Sequence, residues 1–481
     1  MAGIGFALRA LSDRNTLSSV MGAAGHAAVI AAGPWLFTIA SLAAITASSE
    51  PLAGHETLAT FRALIIYAFA TSLVLAAPIT IVATRLLADQ LWQRQTDRVR
   101  PLLVAAMGLA LVTVAAGVAA LVALFSVPVK LAIALYAATS VVTMIWVAVA
   151  FCGAVRDYNG ITLTFVVGLV ISVAAATAAA LTGLGAAGMA WGFTLGLAIA
   201  LLGMTFRVLA TFPVTGATAI SQLKALINGF GAYGYLALGA LLGTAGVWVD
   251  KWVFWVSNEG HSVEGGLIHA PLYDSAMFIA SLVLIPALAQ FVVILETGFF
   301  ERYQNYYGTI QEHGTIDQIE KARDSLQRNS FESLALVSVA HVAIAIVMVL
   351  AAPAIIESLN LQFRQISILR YGALGSVFQF IFIAAASMVV FFDRRRWYCG
   401  LQMLFFGLNL TLTMLSIHWG EDYYGVGYFA ASLISAGVAL LVAESTLTRL
   451  NYLTFIGNNP SITGKRRTTA EWARQLLQRV T

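Results

Sequence analysis

The chain has 481 residues, of which 59% are hydrophobic and 10% charged, and its mean hydropathy is +0.84. A soluble domain carries roughly 25% charged residues, so a soluble globular enzyme is excluded, and the apolar excess also excludes a disordered chain. The net charge of +4 and pI of about 9.0 fit the basic loops of a polytopic membrane protein and give no reason to expect nucleic acid.

A helix crossing a bilayer needs about 20 mostly apolar residues. In chain order such runs fall at 21–47, 63–87, 101–126, 129–152, 161–182, 185–206, 230–256, 270–295, 333–355, 368–392, 399–418 and 424–445. With twelve spans and both termini in the cytoplasm, 22 of the 27 basic residues lie in the termini and even-numbered loops, as the positive-inside rule requires. Arg94, Arg98, Arg394, Arg395 and Arg396 are among them, whereas Glu50, Glu56, Glu259, Glu264 and Glu421 lie in the opposite loops. The N-terminus shows no cleavable signal. The expected fold class is all-α integral membrane, twelve helices in two six-helix bundles.

The segment between the sixth and seventh spans divides the chain. Expected parts are a cytoplasmic N-terminal segment (1–20), a first bundle (21–210), a cytoplasmic linker (211–229), a second bundle (230–447) and a basic cytoplasmic tail (448–481). SLVLAAP at 72–78 and SLVLIP at 281–286 echo each other in the second helix of each half, which is either a parallel repeat or chance. Transporters built from such repeats place the substrate path between the halves.

Pro34, Pro78 and Pro286 fall inside spans. Each removes a backbone hydrogen bond and kinks its helix, as a hinge or as a packing shape. Gly188, Gly192 and Gly196 recur every four residues, as do Gly239 and Gly243, and small residues at this spacing let helices approach closely. Segment 297–332 is too polar to span. Thr315 and Gln318 form a capping box there, followed by an apolar stripe of Ile316, Ile319, Ala322 and Leu326. Asp317–Lys321 and Asp324–Arg328 are spaced as i,i+4 pairs. In the tail, Thr468 and Glu471 repeat the cap ahead of Trp472, Leu476, Leu477 and Val480. Both amphipathic segments suit the lipid bilayer surface or a cytoplasmic partner equally.

No phosphate-cradling loop is present, since Asn459 replaces the glycine that Gly464-Lys465 would need. Cys152 and Cys399 make neither a disulfide framework nor a metal site, and no cofactor is expected. The informative residues are charges inside spans, which cost at least ~2.5–3.5 kcal/mol each at mid-bilayer unless they face a cavity or partner. Asp250 and Lys251, beside Trp252 and Trp255, are such residues, and so are Asp274, Arg62 and Arg370. They form either a polar substrate vestibule between the halves or a set of snorkelling charges with a structural pair such as Asp250–Arg370. His26 and His341 are proton-coupling candidates or packed histidines. Glu296, Glu301 and Arg302, followed by Tyr303, Tyr306 and Tyr307, mark a cytoplasmic entrance, a partner contact or an interfacial anchor.

Five stretches carry a resemblance: MAGIGFALRAL (1–11), GPWLFTIA (33–40), DKWVFW (250–255), YDSAMFIASLVLIPALAQF (273–291) and ETGFFERYQNYYGTI (296–310). In these the chain resembles the PelG family, the transport subunit of the bacterial Pel exopolysaccharide system within the multidrug and oligosaccharide-lipid exporters. It departs from that pattern at Ala7, where the family carries an acidic residue. The resemblance implies a MATE-like, flippase-type fold in the bacterial inner membrane and export of a hexosamine-rich polysaccharide from cytoplasm to periplasm. It also implies partners: the glycosyltransferase PelF and the membrane proteins PelD and PelE. Carboxylates such as Asp250 and Asp274 would suit a polymer with free amines. A proton-coupled flippase of a lipid-linked oligosaccharide or small amphiphile, and a non-transporting scaffold of a synthase, are the alternatives.

Overall fold

The computed structural model describes residues 41–50, 53–155, 158–214, 216–263, 265–294 and 298–457. The elements are α1 (41–50), α2 (His55–Trp92), α3 (Val99–Phe125), α4 (Val129–Val155), α5 (Tyr158–Leu181), α6 (Gly185–Thr211), α7 (Ala219–Trp255), a hairpin of β1 (His261–Ser262) and β2 (Ile268–His269), then α8 (Pro271–Ser281), α9 (Leu284–Ile294), α10 (Phe300–Gln311), α11 (Ile316–Ser358), α12 (Gln365–Phe391), α13 (Arg395–Trp419) and α14 (Val426–Thr448). Among these residues, eleven helical stretches are long and apolar enough to cross a membrane. The expected first span lies outside the described residues except for its helical end, 41–47. Pro34, His26, Glu296 and the tail cap at Thr468 also lie outside them.

The spans are helical because hydrocarbon offers no partner for backbone N–H and C=O groups, so each span must satisfy its own. Their apolar residues divide between two solvents. Ala106, Ala134, Ala190, Ala385 and Ala439 are buried between helices, whereas Leu202, Val339 and Val347 stand about two-thirds exposed, a pattern suited to lipid and hazardous in water. Small residues set the closest approaches. A Cβ on Gly196 would lie 2.2 Å from Ser172 Oγ, and one on Gly192 would lie 2.6 Å from the Ala175 backbone, so α5 and α6 meet nearly backbone to backbone.

The two halves repeat one neighbour plan. In the first, the second span packs on the third and fourth, the fourth on the third and sixth, and the fifth on the sixth. In the second, the eighth packs on the ninth and tenth, the tenth on the ninth and twelfth, and the eleventh on the twelfth. Adding six to each number converts one plan into the other. The echoed serines behave alike too: Ser72 Oγ donates to the Phe69 carbonyl (2.9 Å) and Ser281 Oγ to that of Phe278 (2.6 Å).

Three elements differ from the sequence expectation. The linker 211–229 is helical from Ala219, where Thr218 caps by accepting from the Ser221 amide at 3.2 Å. That helix continues into the seventh span. The amphipathic segment after Thr315 forms its capping box but does not stop; α11 runs for 43 residues into the ninth span. Its Asp324 pairs with the adjacent Arg323 at 2.8 Å, and Ile316 points to solvent while Ile319, Ala322 and Leu326 are buried. Finally, Pro78, expected to kink its span, is carried inside one continuous helix, whereas at Pro286 the eighth span does break, into α8 and α9, with Leu282, Val283 and Ile285 donating to carbonyls three residues back.

Candidate functional site

The carboxylate of Asp250 is fully buried within the second bundle. Lys251 Nζ lies 3.1 Å from both of its oxygens, and Tyr273 of α8 donates to Oδ2 at 2.8 Å. A buried carboxylate is tolerated only with such partners. Lys251 also donates to the Val247 carbonyl (3.1 Å) and sits 5.8 Å from the Trp248 ring centre. The Tyr273 ring stacks on Phe254 at 3.8 Å, which fixes the phenol against Asp250.

The next residue, Asp274, extends this cluster toward the first bundle. Its Oδ2 accepts from Trp255 Nε1 (2.9 Å) and from the Ala270 amide (3.0 Å), while its Oδ1 is buried with no hydrogen-bond partner. Trp255 in turn stacks on Tyr67 of α2, 4.6 Å between centres. The Tyr67 hydroxyl donates to the Ile268 carbonyl at 2.7 Å and accepts from the Ile268 amide at 3.3 Å. Gly265 and Gly266, both at positive φ, close the hairpin against the turn after α3, where a Cβ on Gly266 would strike the Phe125 carbonyl at 2.4 Å. The hairpin of the second bundle is thus seated on the first.

At the other end of the seam, the end with the basic loops, α7 again meets α2. Gln90 donates to Gln222 at 2.9 Å, and Tyr233 donates to Asp89 at 3.2 Å. Tyr233 has non-helical dihedrals (φ −111°, ψ 20°), so α7 bends there. Arg395, opening α13, donates to the Ala232 carbonyl at 2.9 Å and lies 4.6 Å over the Tyr233 ring. Arg85 reaches from α2 to the Val390 carbonyl at 3.5 Å. Beside it, α10 packs Tyr303 on Tyr307, Phe391 and Phe392, and burial pushes the Tyr303 hydroxyl up to about 12. Tyr306 donates to Asn451 at 2.9 Å, and Arg302 donates to the Gly298 carbonyl at 3.0 Å. Glu301 sits in the first turn of the same helix.

Of the residues singled out in the sequence, the structure brings together Asp250, Lys251, Trp255 and Asp274. Trp252 is half-buried on the same turn. Arg62 and Arg370 do not join them. Arg62 is exposed and donates to the Leu58 carbonyl in its own helix, and Arg370 is exposed and donates to Val349 of α11. The alternative pairing of Asp250 with Arg370 is not formed; Asp250 pairs with Lys251. Asp250 itself faces the interior of its own bundle, and Trp255, not Asp250, reaches the seam. His341 is buried edge-on to Phe380 (5.5 Å). It faces the Val283 carbonyl at the α8–α9 break, with neither ring nitrogen completing a hydrogen bond. Tyr67, Tyr273 and Tyr233 were not distinguishable beforehand, because a tyrosine within an apolar run gives no signal of its own until its hydroxyl partner is known.

The family model for PelG, described as "Putative exopolysaccharide Exporter (EPS-E)", matches residues 1–455. The chain belongs to the PelG family. No curated protein matches it. Among solved structures, a MOP superfamily transporter from Pyrococcus furiosus, titled for a binding pocket of reversed polarity, aligns with TM-score 0.62 at 16% identity, covering 93% of this chain and 97% of the other. A multidrug resistance MATE family transporter of the same superfamily in its outward-facing conformation aligns with TM-score 0.61 at 17% identity, covering 88% and 96%. An inward-facing one gives 0.56 at 15%, covering 88% and 99%. The fold of this PelG-family chain is therefore that of MATE and MOP transporters, all-α and membrane-spanning.

Proposed function

We propose that the chain exports the Pel polymer, a hexosamine-rich exopolysaccharide, from cytoplasm to periplasm across the inner membrane. The observation that carries this reading is the family match over 1–455 on a two-bundle transporter fold. In this reading the basic end faces the cytoplasm, where PelF supplies the polymer and PelD and PelE complete the assembly, and the hairpin end is the periplasmic gate.

The gate geometry suggests how a sugar chain is handled. Opening requires Tyr67 to release Ile268 and Trp255. That exposes an indole face able to stack on a sugar and frees Asp274, whose Oδ1 already lacks a partner. Asp250 acts behind it: the phenol of Tyr273 ties it to the helix that carries Asp274. Export is driven by polymerisation on the cytoplasmic side or by an ion gradient; for the second, His341 at the α8–α9 break is the coupling candidate among the described residues.

The test is export in cells lacking the native subunit. Asp274→Asn and Asp250→Asn should each reduce secreted polymer while membrane levels and co-purification with PelF stay normal. Undiminished secretion with both variants would remove the site assignment. A pure scaffold is separated by reconstituting the chain and assaying movement of a labelled glycan, where no movement would remove the transport assignment.

A further inference from the structure

The lipid-facing flank of the seam contains an open groove of about 360 Å³ between α2 and α3 of the first bundle and α7 of the second. Leu75, Pro78, Leu109, Thr113, Phe230 and Leu241 line it. Thr113 turns its hydroxyl onto its own helix, donating to the Ala110 carbonyl at 2.8 Å, so the wall offers no polar contact. The lining residues all lie within spans, where hydrocarbon is the surrounding medium. At 1.5 Å per residue, the α7 wall from Ile227 to Leu241 is about 21 Å long, more than one leaflet of a ~30 Å core.

The basic end of the groove is cationic. Lys224 lies one turn beyond Ile227 and is exposed, and Arg98, also exposed, stands at the start of α3. Eleven residues before Leu109, Arg98 lies on the same face of α3 as the groove lining. Of the nearby acids, Asp97 already has a partner and Asp89 accepts from Tyr233. We propose that this groove is a binding site for one acyl chain of an anionic phospholipid, its phosphate at the level of Lys224 and Arg98. The lipid would touch both bundles beside Pro78 and one turn from the α7 bend, so it is a component of the seam and distinct from the annulus.

The experiment uses the full chain in nanodiscs of phosphatidylethanolamine and phosphatidylglycerol carrying a trace of phosphatidylglycerol with a diazirine in its acyl chain. Photolabelling should concentrate on Leu75, Leu109, Phe230 and Leu241, severalfold above the exposed α6 positions Leu195 and Leu202. Thr113→Trp, which fills the groove, should lower it to the α6 level, and Leu195→Trp should not. Should Thr113→Trp fail to fold, excess unlabelled phosphatidylglycerol on the unsubstituted chain should remove the same labels, and excess phosphatidylcholine should not. Lys224→Gln with Arg98→Gln should abolish that preference. Equal labelling of groove and α6 face, or labelling that ignores headgroup charge, overturns the proposal. So does native mass spectrometry that finds a polyprenyl-linked saccharide retained in place of a phospholipid.

Discussion

Tyr67 of the second span and Ile268 of the hairpin are joined twice, the phenol donating to the carbonyl and accepting from the amide of the same residue. A side chain here substitutes for a neighbouring strand and ties one bundle to the other. Tyr67→Phe leaves both Ile268 groups unpaired at a cost of about 1–3 kcal/mol. Faster amide exchange across 263–269, with the helices unchanged, is the expected result. Tyr67→Ala adds the loss of the Trp255 stack, about 0.5–1.5 kcal/mol more.

The Asp250–Lys251 pair predicts strong coupling. Lys251→Met strands a carboxylate with 0% exposure, and breaking a buried pair typically costs about 3–5 kcal/mol. Combining it with Asp250→Asn should recover much of that loss. A double-mutant cycle on thermal unfolding in detergent measures the coupling, and additive losses would show that the two groups act apart.

His269 stands directly across the hairpin from His261. Burial, followed by the charges of Arg62 and His261, holds its pKa below the ordinary 6.5. The seated hairpin therefore binds the proton less readily than the released one. Its docking is fully stable above pH 6.5 and weakens as pH falls from there through the lowered value. Amide exchange at Ile268 should accelerate over that interval, and His269→Gln should flatten the response.

Among the described glycines, Gly196 has the tightest Cβ clearance in the first bundle. Gly196→Ala places a methyl on Ser172 Oγ and the Gly168 carbonyl, so α5 and α6 must separate. Overpacking of this kind costs about 1–3 kcal/mol, readable as a lower melting temperature. Gly108, which has open space around its Cβ position, should accept alanine.

His341 distinguishes packing from coupling. Its ring is buried facing the Val283 carbonyl without completing a hydrogen bond, so His341→Leu, which trades one incompletely met polar group for another, should shift thermal stability by no more than about 1 kcal/mol. Secretion that falls in this stable variant would assign the histidine a role in transport, and undiminished secretion would make it packing.

Hydropathy and loop charge revealed the spans because lipid imposes one rule on every crossing segment. They placed boundaries poorly where no residue interrupts a helix. Nothing between Ile316 and Ala352 is Gly or Pro, so a polar amphipathic segment and an apolar span join in one rod. The charged cluster was half legible. Asp250, Lys251 and Asp274 stand out by the cost of burying them, but the phenol that Asp250 accepts from and the indole that Asp274 accepts from, Tyr273 and Trp255, each come from the other helix. Arg62 and Arg370 were indistinguishable from these in sequence, because a long side chain at a helix end can reach solvent as readily as a partner.

The helix α7 holds Gln222 at one membrane face and Trp255 at the other, about 50 Å apart along 33 residues. Were it a straight bar, tilting it to release Trp255 would press Gln222 harder onto α2, like the arm of a balance. The bend at Tyr233 introduces a joint into that arm. Arg395, gripping the joint through the Ala232 carbonyl and the Tyr233 ring, sets how far the two faces can move out of step.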